Sequence, residues 1–248
     1  MSTEKISAVV PAYNEAETIG VVIEELKKCP LVGEIVVVDD GSDDDTAKAA
    51  RLAGARVISH TDNLGKAVAM ENGVKATKNP IIMFVDADIT GFTAQKMEKI
   101  ILPVLNGSRI MYIGVVRRRA YWLNKIIRLL PLISGLRVIK KELWFKVPNK
   151  YKKGYQMEIA LNYFAKTSGQ KVGHCFLGGI RHVIKEKKRG PLLGLLARIK
   201  MGLEIALIGW RLYVVHRIVQ LFFKSLPLVG GGEEGVSTDV AKENLHPQ

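Results

Sequence analysis

The chain has few cysteines, and their positions exclude two common kinds of site. Among 248 residues, cysteine occurs only as Cys29 and Cys175. Neither belongs to a CxxC motif or to a Cys/His pattern with zinc-ligand spacing, and both lie in apolar surroundings. We therefore predict reduced core thiols rather than a disulfide or a zinc site, which is typical of a cytosolic protein.

Long uninterrupted apolar runs are also missing. The N-terminus, MSTEKISAVVPAYNE, has neither the basic nor the apolar region of a secretory signal, so export is not expected. Residues 192–223 are strongly apolar, but the longest uncharged run between Glu204 and Arg211 has six residues, well short of the roughly 18 that a spanning helix needs. We expect amphipathic helices in the membrane interface; a buried helical hairpin is the alternative.

Acidic residues are nearly absent from parts of the chain. Residues 1–100 contain 11 Lys and Arg against 16 Asp and Glu, residues 101–153 contain 13 against 1, and residues 181–224 contain 10 against 2. Individual basic residues usually solvate helix faces, but a stretch of fifty positions with one acid indicates an anionic partner. Nucleic acid and an anionic membrane surface are the two candidates.

Glycine-rich phosphate loops are absent as well, although the first half has a nucleotide-binding pattern. There is no GxGxxG and no GxxxxGK[ST]. Short apolar runs typical of strands alternate with segments in which apolar residues recur at helical spacing. This alternation predicts an α/β fold with a parallel sheet and helices on both faces. The predicted strands are Lys5–Val10, Glu34–Asp39, Arg56–His60 and the run that begins at Ile81.

Three loops, PAYNE, VVDDGS and VDAD, follow these strands and meet at one sheet edge, where open α/β sheets bind ligands. Asp86 and Asp88, spaced i, i+2, can hold one hard cation with a diphosphate; the alternative is a pair of surface residues capping the next helix. Asp39 and Asp40 suit the N–H of a base or ribose hydroxyls. Lys66 can neutralise phosphates or be a solvated helix residue.

In this order and spacing, PAYNE, VVVDDGSDDDT, NLGKA and FVDADI resemble glycosyltransferase family 2, the inverting GT-A group, and particularly its dolichyl- and polyprenyl-phosphate hexosyltransferases. The resemblance covers residues 5–180. It implies a three-layer α/β/α, mostly parallel GT-A sheet, a UDP- or GDP-linked sugar donor and Mg²⁺ or Mn²⁺. It implies nucleoside contacts by Pro11, Tyr13, Glu15, Asp39 and Asp40, and contacts of Asp86 and Asp88 with the metal and diphosphate.

The resemblance also implies acceptor-side residues. Arg117 follows the predicted strand Arg109–Val116, and Arg137 ends an SGxR stretch; both align with arginines that contact the acceptor phosphate. Glu158 lies in a GYxxE motif near the sugar or acceptor. With Asp88, these three are the expected catalytic residues, although an ionised phosphate acceptor scarcely needs a base.

The expected function is transfer of a hexose to a polyprenyl or dolichyl phosphate at the cytosolic membrane face. Residues 1–189 are the expected catalytic domain, 190–229 the membrane-associating amphipathic appendage and 230–248 a disordered tail. Alternatives are a family 2 transferase acting on a glycan or glycolipid hydroxyl, or a catalytically silent nucleotide-sugar-binding membrane protein. The acidic sheet edge argues against nucleic acid; a membrane-protein partner or a homo-oligomer stays open.

Overall fold

The computed structural model describes residues 4–116, 134–154, 156–183, 207 and 209–215. Within them, seven strands form one sheet in the order β3-β2-β1-β4-β7-β6-β8, and β5 pairs with β9 in a second, two-stranded sheet. The strands are β1 (Ile6–Ala12), β2 (Val32–Asp39), β3 (Arg56–Ser59), β4 (Ile81–Phe84), β5 (Ile89–Thr90), β6 (Met111–Val116), β7 (Arg137–Lys140), β8 (Val172–Leu177) and β9 (Arg181–His182). The α-helices are α1 (Ile19–Lys27), α2 (Thr46–Leu52), α3 (Lys66–Ala76), α4 (Ala94–Leu105), α5 (Lys141–Lys146) and α6 (Gln156–Thr167).

The N-terminal half is the parallel α/β unit that the sequence predicts. β1 pairs in parallel with β2 and β4, and β2 pairs in parallel with β3. All four residues of β4 are buried, as expected for a central strand covered on both faces. The predicted fold class, an α/β/α arrangement around a mostly parallel sheet, is confirmed.

Helices cover both faces of the sheet and divide the core in two. On one face, α1, α2 and α4 contribute Ile23, Ala50 and Ile100 to the larger apolar cluster. On the other face, α3, α5 and α6 contribute Met70, Trp144 and Leu161 to the second. This three-layer packing leaves the carboxyl ends of the parallel strands open at one edge.

The antiparallel strand β7 lies between β4 and β6, and the sequence pattern did not indicate it. The SGxR stretch was expected to present Arg137 to an acceptor, yet Arg137 is the first residue of β7 and pairs with Phe84. β7 also pairs antiparallel with β6, which pairs in parallel with β8. Four residues, RVIK, are too short for a periodicity that distinguishes a buried strand from a loop.

Glu71 of α3 contacts both Trp144 of α5 and Lys152, which directly follows a 3-10 turn (Asn149–Tyr151). The Glu71 carboxylate accepts a hydrogen bond from Trp144 Nε1 at 2.5 Å and pairs with Lys152 Nζ at 2.9 Å. Lys75 lies 3.3 Å from the same carboxylate. Burial favours the neutral acid, but the hydrogen bonds from Lys152 and Trp144 and the nearby charges outweigh it and lower the pKa of Glu71.

Most of the predicted C-terminal appendage lies outside the described residues, as do the predicted disordered tail and Arg117. Of the 190–229 segment, the structure describes residues 207 and 209–215, which include a π-helical turn, Arg211–Val215. Leu212 is buried in the second apolar cluster, the one that contains Met70, Trp144 and Leu161, whereas Leu207 and Trp210 are exposed. In the portion of the chain that is described, no helix has the length and apolar content required to cross a membrane.

Candidate active site

A cleft of about 450 Å³ opens at the carboxyl ends of β1 and β4. Its position is the one at which open α/β sheets bind ligands, because the loops after parallel strands converge there. Seven of the predicted site residues line it, together with four that were not singled out. The lining residues are Pro11, Ala12, Tyr13, Glu15, Asp40, Asn63, Lys66, Asp86, Ala87, Asp88 and His182.

Asp86, Asp88 and His182 form a candidate metal centre. One ligand atom from each lies within 4.8 Å of the other two, and all three residues are half-buried. Two carboxylates and an imidazole are a donor set that suits Mn²⁺, and the carboxylates alone suit Mg²⁺. The prediction that Asp86 and Asp88 share one cation therefore agrees with their placement.

Sequence reasoning missed His182 because it lies 94 positions from Asp88. The small β5–β9 sheet joins them: Ile89 pairs with His182, and Val183 N donates to Asp88 O at 2.8 Å. His182 Nδ1 then lies 3.1 Å from Asp88 Oδ1. No local motif marks this histidine, since only strand pairing brings it to the cleft.

Lys66, the first residue of α3, forms an ion pair with Asp86 across the cleft. Its Nζ lies 2.5 Å from Asp86 Oδ1, and about half of the lysine side chain is exposed. Desolvation would lower the pKa of Lys66, but the charges of Asp86, Glu158 and Asp88 together raise it above its ordinary value. Lys66 is therefore a cation at neutral pH, placed beside the carboxylates as the phosphate-neutralising interpretation requires.

Asp40 fixes the loop that carries Lys66. Its carboxylate accepts hydrogen bonds from the backbone N–H of Leu64 at 3.0 Å and of Gly65 at 2.8 Å. His60 Nδ1 lies 2.7 Å from the same carboxylate, and both side chains are buried. Asp40 also lines the cleft, but most of its acceptor capacity is used by the hydrogen bonds from the loop. Its predicted nucleoside contact stays a prediction.

The PAYNE loop after β1 is held by the loop after β2. Asn14 has a φ of 55°, a left-handed conformation that asparagine tolerates. Its backbone N–H donates to Ser42 Oγ at 2.9 Å, and its side chain accepts from Asp43 N at 2.9 Å. Glu15 N donates to Thr46 Oγ1 at 2.7 Å. These bonds fix the loop in which Tyr13 and Glu15 line the cleft, next to Pro11 near the end of β1.

Asp39, the last residue of β2, does not line the cleft as the described residues define it. Its carboxylate accepts from Ser42 N at 3.3 Å and from the Ser42 hydroxyl. It thus stabilises the turn at Gly41, whose φ of 71° is a left-handed conformation that glycine adopts without a steric penalty. The nucleoside contact implied for Asp39 stays a prediction.

Arg137 and Glu158 form a buried pair and are not among the described residues that line the cleft. Only 1% of the Arg137 side chain is exposed, and its guanidinium lies 3.9 Å from Glu158 Oε2. The guanidinium donates to the Ser134 carbonyl at 3.1 and 2.9 Å and to the Glu158 carbonyl at 3.4 Å. Burial lowers the pKa of Arg137, opposed by Glu158 and Asp86. Its donors face carbonyls of the chain, so the implied acceptor-phosphate contact stays a prediction, as does the role of Glu158.

The fold and cleft define a class: an α/β protein in which two carboxylates and a histidine could hold a divalent cation, with a lysine beside them. Comparison with known families agrees. Residues 7–172 match Glycosyl transferase family 2, which is about two thirds of the chain. The chain belongs to that family.

The curated relatives include glucosyl-3-phosphoglycerate synthase of Mycolicibacterium paratuberculosis, which is 35% identical over 123 residues, or 46% of this chain and 37% of the relative. Another is 4,4'-diaponeurosporenoate glycosyltransferase of Staphylococcus haemolyticus, 35% identical over 106 residues, or 40% of this chain and 28% of the relative. The alignments therefore span less than half the length of these relatives.

Solved structures of glucosyl-3-phosphoglycerate synthase from Mycobacterium tuberculosis share the fold. A complex with Mn²⁺, UDP and phosphoglyceric acid is 29% identical with a TM-score of 0.64, covering 78% of this chain and 74% of that chain. A complex with Mg²⁺ and UDP is 28% identical with the same TM-score, covering 77% and 74%. The expectation of Mg²⁺ or Mn²⁺ agrees with these related structures.

Proposed function

We propose that the protein transfers a hexose from a UDP- or GDP-linked donor to a phosphate-bearing acceptor, with inversion at the anomeric carbon. The grouping of Asp86, Asp88, His182 and Lys66 in one cleft carries this proposal. These residues would hold a divalent cation and the donor diphosphate side by side. Membership of the family and the nucleotide complexes of its relatives support the same role.

Different residues of the cleft would have different roles in the reaction. When bound, a divalent cation neutralises charge that grows on the diphosphate leaving group. Lys66 moves from Asp86 to the leaving diphosphate and stabilises the same charge by a charge-assisted hydrogen bond. Tyr13 lines the cleft and would contact the base, and Asp40 keeps the Lys66 loop in place.

We propose a polyprenyl or dolichyl phosphate as the acceptor, used by an enzyme that binds the cytosolic membrane surface. Two features of the sequence support an anionic membrane surface as a partner. Residues 101–153 contain 13 basic residues and one acidic residue, and residues 192–223 form an apolar stretch interrupted by charges. The motif resemblance to polyprenyl-phosphate transferases supports the acceptor.

A soluble phosphorylated acid is the second candidate acceptor. It is favoured by the relatives, whose name and bound ligand indicate phosphoglycerate as an acceptor of those proteins. A phosphate is the chemical group that both candidates share, so the donor side of the reaction is the same for either.

A matrix of donors and acceptors tests the proposal. Full-length protein is incubated with UDP-glucose, UDP-galactose or GDP-mannose and with a short polyprenyl phosphate or 3-phosphoglycerate, each with Mn²⁺ or with EDTA. We expect metal-dependent product with the lipid phosphate and flotation of the protein with anionic vesicles at low salt. Product with phosphoglycerate alone favours the second candidate, whereas donor hydrolysis without transfer to either phosphate contradicts a phosphate acceptor.

A further inference from the structure

Gly135 lies directly against the carboxylate of Asp86. A Cβ placed on this glycine would come within 2.2 Å of Asp86 Oδ2, 2.5 Å of Oδ1 and 2.6 Å of Cγ. Such distances are far shorter than any van der Waals contact. The carboxylate therefore occupies the volume that a side chain at position 135 would fill.

The strand register creates this contact. β4 and β7 pair antiparallel with Ile81 opposite Lys140 and Phe84 opposite Arg137. Continuing the same register two residues past the ladder aligns Asp86 with Gly135, so the antiparallel insertion of β7 places glycine beside the metal-binding carboxylate.

The turn that contains Gly135 is fixed from two sides, so it cannot easily move away. The Ser134 hydroxyl donates to the Gly114 carbonyl of β6 at 2.6 Å. The Ser134 carbonyl accepts two bonds from the buried Arg137 guanidinium. An added side chain would therefore displace the short Asp86 side chain rather than the turn.

We propose that Gly135 is a positioning residue that holds the Asp86 carboxylate toward Lys66 and the metal centre, and that the buried Arg137 serves by fixing this turn. The inference rests on the proposed metal-dependent function. Backbone strain does not enter, because Gly135 does not have a positive φ. The backbone conformation therefore does not require glycine, and the nearest obstacle to an alanine is the Asp86 carboxylate.

The test is Gly135→Ala in the full chain, with Mn²⁺ affinity measured by titration calorimetry and stability measured by thermal unfolding. We expect Mn²⁺ to bind about 10- to 100-fold more weakly, which is the usual effect of removing support from a metal ligand. We expect little loss of stability, because a half-buried carboxylate can rotate toward solvent. Unchanged Mn²⁺ affinity in the variant would overturn the inference.

Two glycines provide matched controls. Gly173→Ala is equally crowded, since its Cβ would meet the Tyr112 ring at 2.4 Å, and Gly20→Ala enters open space. Both should keep wild-type Mn²⁺ affinity; an equal loss in Gly173→Ala would mean that crowding anywhere in the sheet region weakens the site, and it would overturn the inference.

A crystal structure of Gly135→Ala is a readout that needs no metal. The contact between Lys66 Nζ and Asp86 should be lost, and its retention would overturn the inference. If the variant unfolds where Gly173→Ala does not, Gly135 is required for folding and the inference is wrong. Failure of wild-type protein to bind Mn²⁺ counts instead against the proposed function.

Discussion

Lys66→Met should change metal binding and nucleotide binding in opposite directions. In the structure Lys66 Nζ lies 2.5 Å from Asp86 Oδ1. The ammonium group therefore pairs with a carboxylate that a divalent cation would need as a ligand. Methionine keeps most of the side-chain length and removes the charge. Without nucleotide, a divalent ion no longer competes with the ammonium group, so Mn²⁺ should bind more tightly to the variant than to the wild type.

The exposure of the ion pair determines how much Mn²⁺ affinity the variant gains. About half of the Lys66 side chain is accessible to water, and such a pair contributes about 1 kcal/mol at most, which corresponds to about fivefold in affinity. Loss of a charged hydrogen bond to the donor diphosphate costs about 1.5–3 kcal/mol, so UDP with Mn²⁺ should bind about 10- to 150-fold more weakly.

Calorimetric titration measures both effects, first with Mn²⁺ alone and then with UDP at saturating Mn²⁺. Lys48→Met, which removes another helix lysine with an exposed partner, Asp45, is the control and should leave both affinities unchanged. Weaker Mn²⁺ binding to Lys66→Met in the absence of nucleotide would refute the competition, and unchanged UDP affinity would remove Lys66 from the diphosphate site.

Two further substitutions test the metal centre and the α3 contact. Asp88→Asn should weaken Mn²⁺ by at least about tenfold and abolish transfer, with a stability change within about 0.5 kcal/mol because the residue is half-exposed; full transfer in the variant would contradict a metal-dependent reaction. Glu71→Gln should destabilise the fold by about 2 kcal/mol at pH 7, because it leaves Lys152 buried without its partner. Since the pKa of Glu71 is lowered in the folded protein, this contribution is complete above the ordinary carboxyl pKa of about 4.3 and declines as the pH falls below it. Urea unfolding of both proteins from pH 7 to pH 3 measures it, and a difference that grows on acidification would contradict the assignment.

The sequence by itself determined the parallel half of the fold and the main elements of the cleft. Short apolar runs followed by turn residues indicate buried strands, and the ends of parallel strands necessarily share one edge. Asp86, Asp88, Lys66 and Tyr13 could therefore be placed together from local patterns. Their local motifs also sufficed to predict a divalent cation, because one short loop carries both carboxylates.

Only the tertiary structure decided which distant residues complete the site. His182 reaches Asp88 through a two-residue strand pair, and Gly135 reaches Asp86 through the antiparallel register of β7; no local periodicity encodes either contact. Arg137 shows the same limit, since no local pattern indicated that it begins a strand and is buried against Glu158. Local pattern reports which face a residue prefers, but the partner across a sheet is set by strand order, which depends on the packing of the whole chain.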